Sequence, residues 1–126
     1  MVDYTRVNPP WGIKTYTAEA FTEKWIDDEH LGVKALATQH ILGQPYFQSV
    51  SSTEIVVEWQ QIACHGRRIP GEDYSSPLCK IGNQADGHSF MRHRFIKTDR
   101  GWRITEIRPE VLYSTGNFIE ISAKDS

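Results

Sequence analysis

Five histidines stand at positions 30, 40, 65, 88 and 93 of this chain, and three of them invite chemistry. Imidazole titrates near neutral pH, which makes it the usual general acid or base. His40, His65 and His93 lie in stretches where apolar and polar residues alternate, the pattern of half-buried strands. With a period of two, Ile55, Val57, Trp59, Gln61, Ala63 and His65 share one face. Ser89, Met91, His93 and Phe95 share another, while Arg92 and Arg94 point the opposite way. An apolar face set with a few Ser, Gln and His groups suits a ligand cavity better than a dry core. Each imidazole buried there needs its own partner.

Other chemistries fit less well. No His-x-His or His-Glu-x-x-His pattern occurs, and Cys64 and His65 are adjacent, so they face opposite sides of a strand. No metal site is expected. Ser89 lies mid-strand without the glycine-flanked elbow of a hydrolase nucleophile. Glu54 and Glu58 belong to the outward side, which leaves no carboxylate pair to share acid and base roles. Glycine-rich phosphate loops are absent. The histidines are left as candidates for proton transfer, beside the plain role of hydrogen-bonded core residues.

The elements that must position these side chains can be read from pattern and punctuation. Residues 1–7 suit a short strand, broken by Asn8-Pro9-Pro10-Trp11-Gly12. Thr17 to Glu29 is a predicted helix, with Thr17 as its cap and Glu19 in its first turn. Ala18, Phe21 and Trp25 fall on one side of it, and Gly32 follows its end. Strands are expected over 36–42, 54–65, 88–98 and 102–108, with a short one at 118–122. Lys97-Thr98-Asp99-Arg100-Gly101 reads as a hairpin turn, and 66–87 as a long loop. One helix against several long strands gives an α+β fold with a curved antiparallel sheet.

Composition bounds the rest. The 126 residues, 39% of them hydrophobic, suffice for one domain over 1–126 with its own core. Fourteen basic against sixteen acidic residues give a charge of −2, so no nucleic-acid partner is expected. No apolar run has the length of a membrane span, and no secretory leader is legible. Cys64 and Cys79 read as free thiols of a cytoplasmic protein.

Several short motifs resemble one known family. Thr38-Gln39-His40-Ile41-Leu42-Gly43, preceded by Ala18-Glu19-Ala20-Phe21, is similar to a stretch of fungal scytalone dehydratases. Trp59-Gln60-Gln61-Ile62-Ala63-Cys64-His65 resembles that family's next strand, and the 25-residue step from His40 to His65 fits without a gap. Gly87-His88-Ser89 with His93, then Gly101-Trp102 and Arg108-Pro109-Glu110, resemble its last two long strands. Asp3-Tyr4 resembles the family's first-strand pair, and Phe118 falls where the family places a lid phenylalanine.

The resemblance implies a cone-shaped α+β barrel of the nuclear-transport-factor-2-like, SnoaL-like type, assembled as a trimer. It implies an enzyme of fungal polyketide metabolism that needs no cofactor and removes water from a hydroxylated aromatic polyketide. A related cyclisation or isomerisation could use the same pocket. His40 and His65 would be the proton-transfer pair, Tyr4 the carbonyl-side donor, and Ser89 a substrate-orienting hydroxyl. Trp59, Met91 and Phe95 would line the pocket, with Phe118 near its mouth. Two departures stand out. The family's N-terminal helices, with a second tyrosine and an aspartate that orients the histidine at position 65, have no counterpart here. Met91 also replaces a substrate-binding asparagine. The alternative is a non-catalytic small-molecule-binding or dimerisation module, because a fold alone does not fix function.

Overall fold

β-branched and aromatic residues in alternation build four long strands, and these carry most of the chain. The computed structural model describes residues 1–28 and 30–124. In chain order, β1 (Val2–Asp3) is followed by a 3-10 turn (Pro9–Trp11), β2 (Ile13–Lys14) and α1 (Ala18–Ile26). Then come β3 (Leu36–Val50), β4 (Glu54–Arg68), β5 (Ile81–Thr98), β6 (Gly101–Thr115) and α2 (Phe118–Ile121). The strands form one sheet in the order β2-β1-β6-β5-β4-β3.

Several expectations need correction. The sheet is mixed, because β1 pairs with β6 in parallel through Val2 and Ile107, and with β2 antiparallel. β4 continues to Arg68 and β5 begins at Ile81, so only 69–80 of the expected loop is irregular. The expected strand at 118–122 is a helical turn, capped where Asn117 Oδ1 accepts from the Glu120 amide at 3.2 Å. α1 closes at Ile26, and the last residue of the predicted helix, Glu29, lies outside the described residues. Its start is as expected: Thr17 Oγ1 accepts from the Ala20 amide at 3.1 Å.

The described residues divide into two compact units, and the long strands contribute to both. The first comprises 1–16, 41–62 and 88–113. In it Val2, Val56 and Val57 are buried, so β4 is covered on both faces at that point. Its polar side holds a chain of charges. Arg94 reaches Glu54 at 3.0 Å and Glu106 at 3.2 Å, while Arg108 reaches Glu106 at 3.5 Å and Asp3 at 3.3 Å. Each buried carboxylate thus meets a guanidinium, the condition under which buried charge is tolerated.

The second unit comprises 17–40, 63–87 and 114–126. Its core is Val33, Ala35, Leu36, Ala85 and Ile121, with Leu31 and Tyr74 packed against them. Two glycines shape it. A Cβ on Gly32 would stand 1.9 Å from the Ile26 carbonyl oxygen, so only glycine lets the chain fold back over the end of α1. Gly116 has φ +71° and would place a Cβ 2.1 Å from the Gln84 carbonyl oxygen, which fixes the turn into α2. Arg67 secures the far end of α2 by donating from Nη1 to the Ile121 carbonyl at 3.0 Å and the Ala123 carbonyl at 2.6 Å.

Candidate active site

In the second unit, β3 and β4 lie side by side and bring two of the three predicted histidines together. The rings of His40 and His65 are 5.5 Å apart and nearly perpendicular, at 88°. Phe118, carried by α2, lies 4.6 Å from the His65 ring at a 57° tilt. The sheet supplies the histidines, and the Gly116 turn supplies the aromatic wall. The Nδ1 atom of His65 is 3.0 Å from Thr38 Oγ1. With Nδ1 engaged, Nε2 is the nitrogen left for proton exchange.

Electrostatics follow from this packing. Burial, and secondarily the charge that a protonated His40 would present, push the His65 pKa down to about 4. The Asp86 carboxylate pulls in the other direction. Burial also lowers the pKa of His40, although the residue keeps an exposed edge. Both imidazoles are therefore neutral at pH 7. The Cys64 thiol is raised by burial and then by Asp86, which keeps it protonated and unreactive. Cys64 and Cys79 are both free.

The remaining predicted residues lie in the first unit. Tyr4 is anchored: its amide donates to the Gly12 carbonyl at 2.9 Å, and its ring meets Trp11 edge-on at 5.8 Å. Ser89 is buried, and Met91 and Phe95 are half-buried on the same strand. Trp59 donates its indole N–H to His93 Nδ1 at 3.1 Å, and Phe95 stands edge-on to His93 at 5.9 Å. Burial lowers the His93 pKa too. A cleft of about 360 Å³ in this unit touches Trp59 but none of the other predicted lining residues. A second cleft of about 340 Å³, in the second unit, is lined by Arg67, Arg68 and Ile69 and excludes the histidine pair.

The other two histidines have structural partners. His30 Nδ1 lies 2.7 Å from Asp27 Oδ1 just past α1, and His88 stacks flat on Tyr113 at 4.1 Å. Among the described residues, no three His, Cys, Asp or Glu side chains gather closely enough to hold a metal ion. Among the described residues, no helix is long and apolar enough to cross a membrane.

The family model for scytalone dehydratase matches residues 1–126. The chain belongs to the scytalone dehydratase family. It is 42% identical over 117 residues to "Dehydratase cfoI" of Aspergillus candidus, covering 93% of this chain and 67% of that one. It is 27% identical over 122 residues to "Scytalone dehydratase-like protein Arp1" of Metarhizium guizhouense, covering 95% and 66%. The chain thus spans about two thirds of the length of these curated relatives. Among solved structures, the Kfla4162 protein from Kribbella flavida superposes with a TM-score of 0.69 over 96% of this chain and 73% of that one, at 14% identity. That likeness speaks for the fold alone, which is α+β of the nuclear-transport-factor-2-like, SnoaL-like type.

Two members of this candidate site escape a reading of the sequence by residue type. Thr38 is two positions before His40, so period two already places it on the histidine's face. Threonine is common in strands, and nothing in its type marks it as a partner for His65. Asp86 falls in the segment read as a loop, although it belongs to β5 and acts on both Cys64 and His65.

Proposed function

We propose that the protein is a cofactor-independent dehydratase acting on a hydroxylated aromatic polyketide, with His40 and His65 as the proton-transfer pair. The observation that carries this reading is the close perpendicular pair of neutral imidazoles, one held at Nδ1 by Thr38, in a chain of this family. In the reaction, a neutral imidazole takes the proton from the carbon next to a ketone. The C–H electrons pass into an enolate and then into a carbon–carbon double bond. The β-hydroxyl leaves with a proton returned by a histidine, as one molecule of water. Two imidazoles that cannot both be charged suit this traffic, because protonating one favours release from the other.

In the same reading, Tyr4 is a carbonyl-side donor and Ser89 orients substrate. The names of the relatives, a dehydratase and scytalone dehydratase-like proteins of fungi, support a dehydration, and the resemblance of the motifs supports the substrate class. Purified protein should be incubated with a panel of hydroxylated tetralones and the products followed for loss of water. Turnover that disappears in both His40→Ala and His65→Ala, with folding retained, supports the assignment. Tight binding without turnover of any member would favour a binding module instead.

A further inference from the structure

The Trp59–His93 pair is a part-buried polar contact of the first unit, and proton transfer by His40 and His65 makes no use of it. An indole N–H can only donate. At 3.1 Å from Nδ1 it requires a lone pair there, so the neutral His93 ring must carry its proton on Nε2. Protonating Nδ1 would set two N–H groups head to head. Burial works in the same direction by lowering the His93 pKa, and the edge-on Phe95 ring 5.9 Å away limits rotation of the imidazole.

The Nε2–H that results has no acceptor among the described residues, yet it is not sealed from the surface. A half-buried donor without a protein partner takes its acceptor from outside the chain. Strand alternation puts His93 on the face of β5 that also carries Ser89, Met91 and Phe95. Ser89 is buried, and its hydroxyl makes no hydrogen bond with the described residues. A donor on a strand face shared with Met91, and with the Phe95 ring beside it, suits a flat apolar skeleton that bears an oxygen lone pair. It discriminates against ammonium groups, which have none to offer.

We propose that His93, locked by Trp59 as its Nε2–H tautomer, is an oxygen-recognising donor that binds a ketone or hydroxyl oxygen of an aromatic ligand. Trp59 is then a positioning residue acting through His93, beyond its expected place in the pocket lining. The ligand class rests on the dehydratase reading, whereas the tautomer and the donor do not.

Two measurements test this. Long-range proton–nitrogen NMR of the 15N-histidine protein at pH 7 should find His93 protonated at Nε2 alone, and Trp59→Phe should mix the tautomers. Equilibrium dialysis of 1-tetralone and of tetralin, which lacks the oxygen, gives a ratio of affinities for each variant. That ratio should fall roughly three- to tenfold in His93→Phe, the value of one net hydrogen bond. His93→Gln, which keeps an N–H donor, should recover part of it and guards against a variant that does not fold. An Nδ1–H or doubly protonated His93, an unchanged ratio, or no binding of 1-tetralone would each overturn the donor. Turnover of hydroxylated tetralones with an unchanged ratio would remove the donor and leave the dehydratase standing. A fallen ratio without any turnover would sustain the donor and count against the dehydratase.

Discussion

Thr38 Oγ1 and His65 Nδ1 are 3.0 Å apart, which gives the His65 imidazole a partner that can both donate and accept. A carboxylate in that place would fix one tautomer. A hydroxyl can turn, accepting from Nδ1–H while Nε2 takes a proton, then donating to Nδ1 when Nε2 holds one. Removing it should therefore cost rate more than fold. In Thr38→Val, kcat/KM is expected to fall about 10- to 100-fold, and Thr38→Ser to restore most of it. Steady-state kinetics with a melting curve for each variant decide this. A Tm loss that accounts for the activity loss would return Thr38 to a packing role.

The second prediction concerns pH. His65 titrates near 4 in the folded protein, below the ordinary imidazole value of about 6.5. The unfolded chain therefore binds more protons between these limits. Stability is complete above about pH 6.5 and declines as pH falls toward 4. In kinetics, the acid limb of kcat/KM should follow the folded value, near pH 4, if the protein remains folded there. His40→Gln removes the neighbouring charge and should raise the His65 pKa. An NMR titration of the His65 ring protons measures that shift, and a fall would contradict the packing described.

Phe118 provides the third test. Its ring covers His65, and its helix hangs between the Gly116 turn and the Arg67 contacts. Phe118→Ala should admit water to the imidazole and move its pKa back toward the ordinary value, with a modest change in Tm. Gly116→Ala should act more severely, because its Cβ would collide with the Gln84 carbonyl. An unchanged His65 titration in both variants would mean that α2 does not set its environment.

In the first unit, Glu106 receives two guanidinium groups and is 7% exposed. Glu106→Ala leaves Arg94 and Arg108 short of a partner and should cost about 3 kcal/mol, near the lower bound for breaking a buried pair. Urea unfolding measures it. A loss below about 1 kcal/mol would class the network with exposed ion pairs.

Much of this was legible in the residues. Thr17 announced the helix start by its capping oxygen, and period two put the histidine-bearing strands and their faces in place. What could not be read has physical causes. Residues 81–87, Ile-Gly-Asn-Gln-Ala-Asp-Gly, show no apolar alternation, yet they form strand because their neighbours supply ladder partners. Ile119 to Ser122 alternates apolar and polar residues like a strand, but the Asn117 cap and the burial of Ile121 favour a helical turn. The Thr38–His65 and Trp59–His93 contacts join residues 27 and 34 positions apart, and pairing across strands decides such meetings.

The position of β3 at the end of the sheet has a consequence for handling the molecule. Within the first unit this outermost strand exposes Ile41, Leu42, Tyr46, Phe47 and Val50. Its free rim of amides and carbonyls is a template on which another extended chain can add. Pro45 stands in the middle of that rim and lacks an N–H, which an outermost strand tolerates and an inner one would not. It interrupts the template by removing one donor from the strand. Pro45 thus acts as a guard on solubility, and replacing it with valine should lower the concentration at which the protein begins to precipitate.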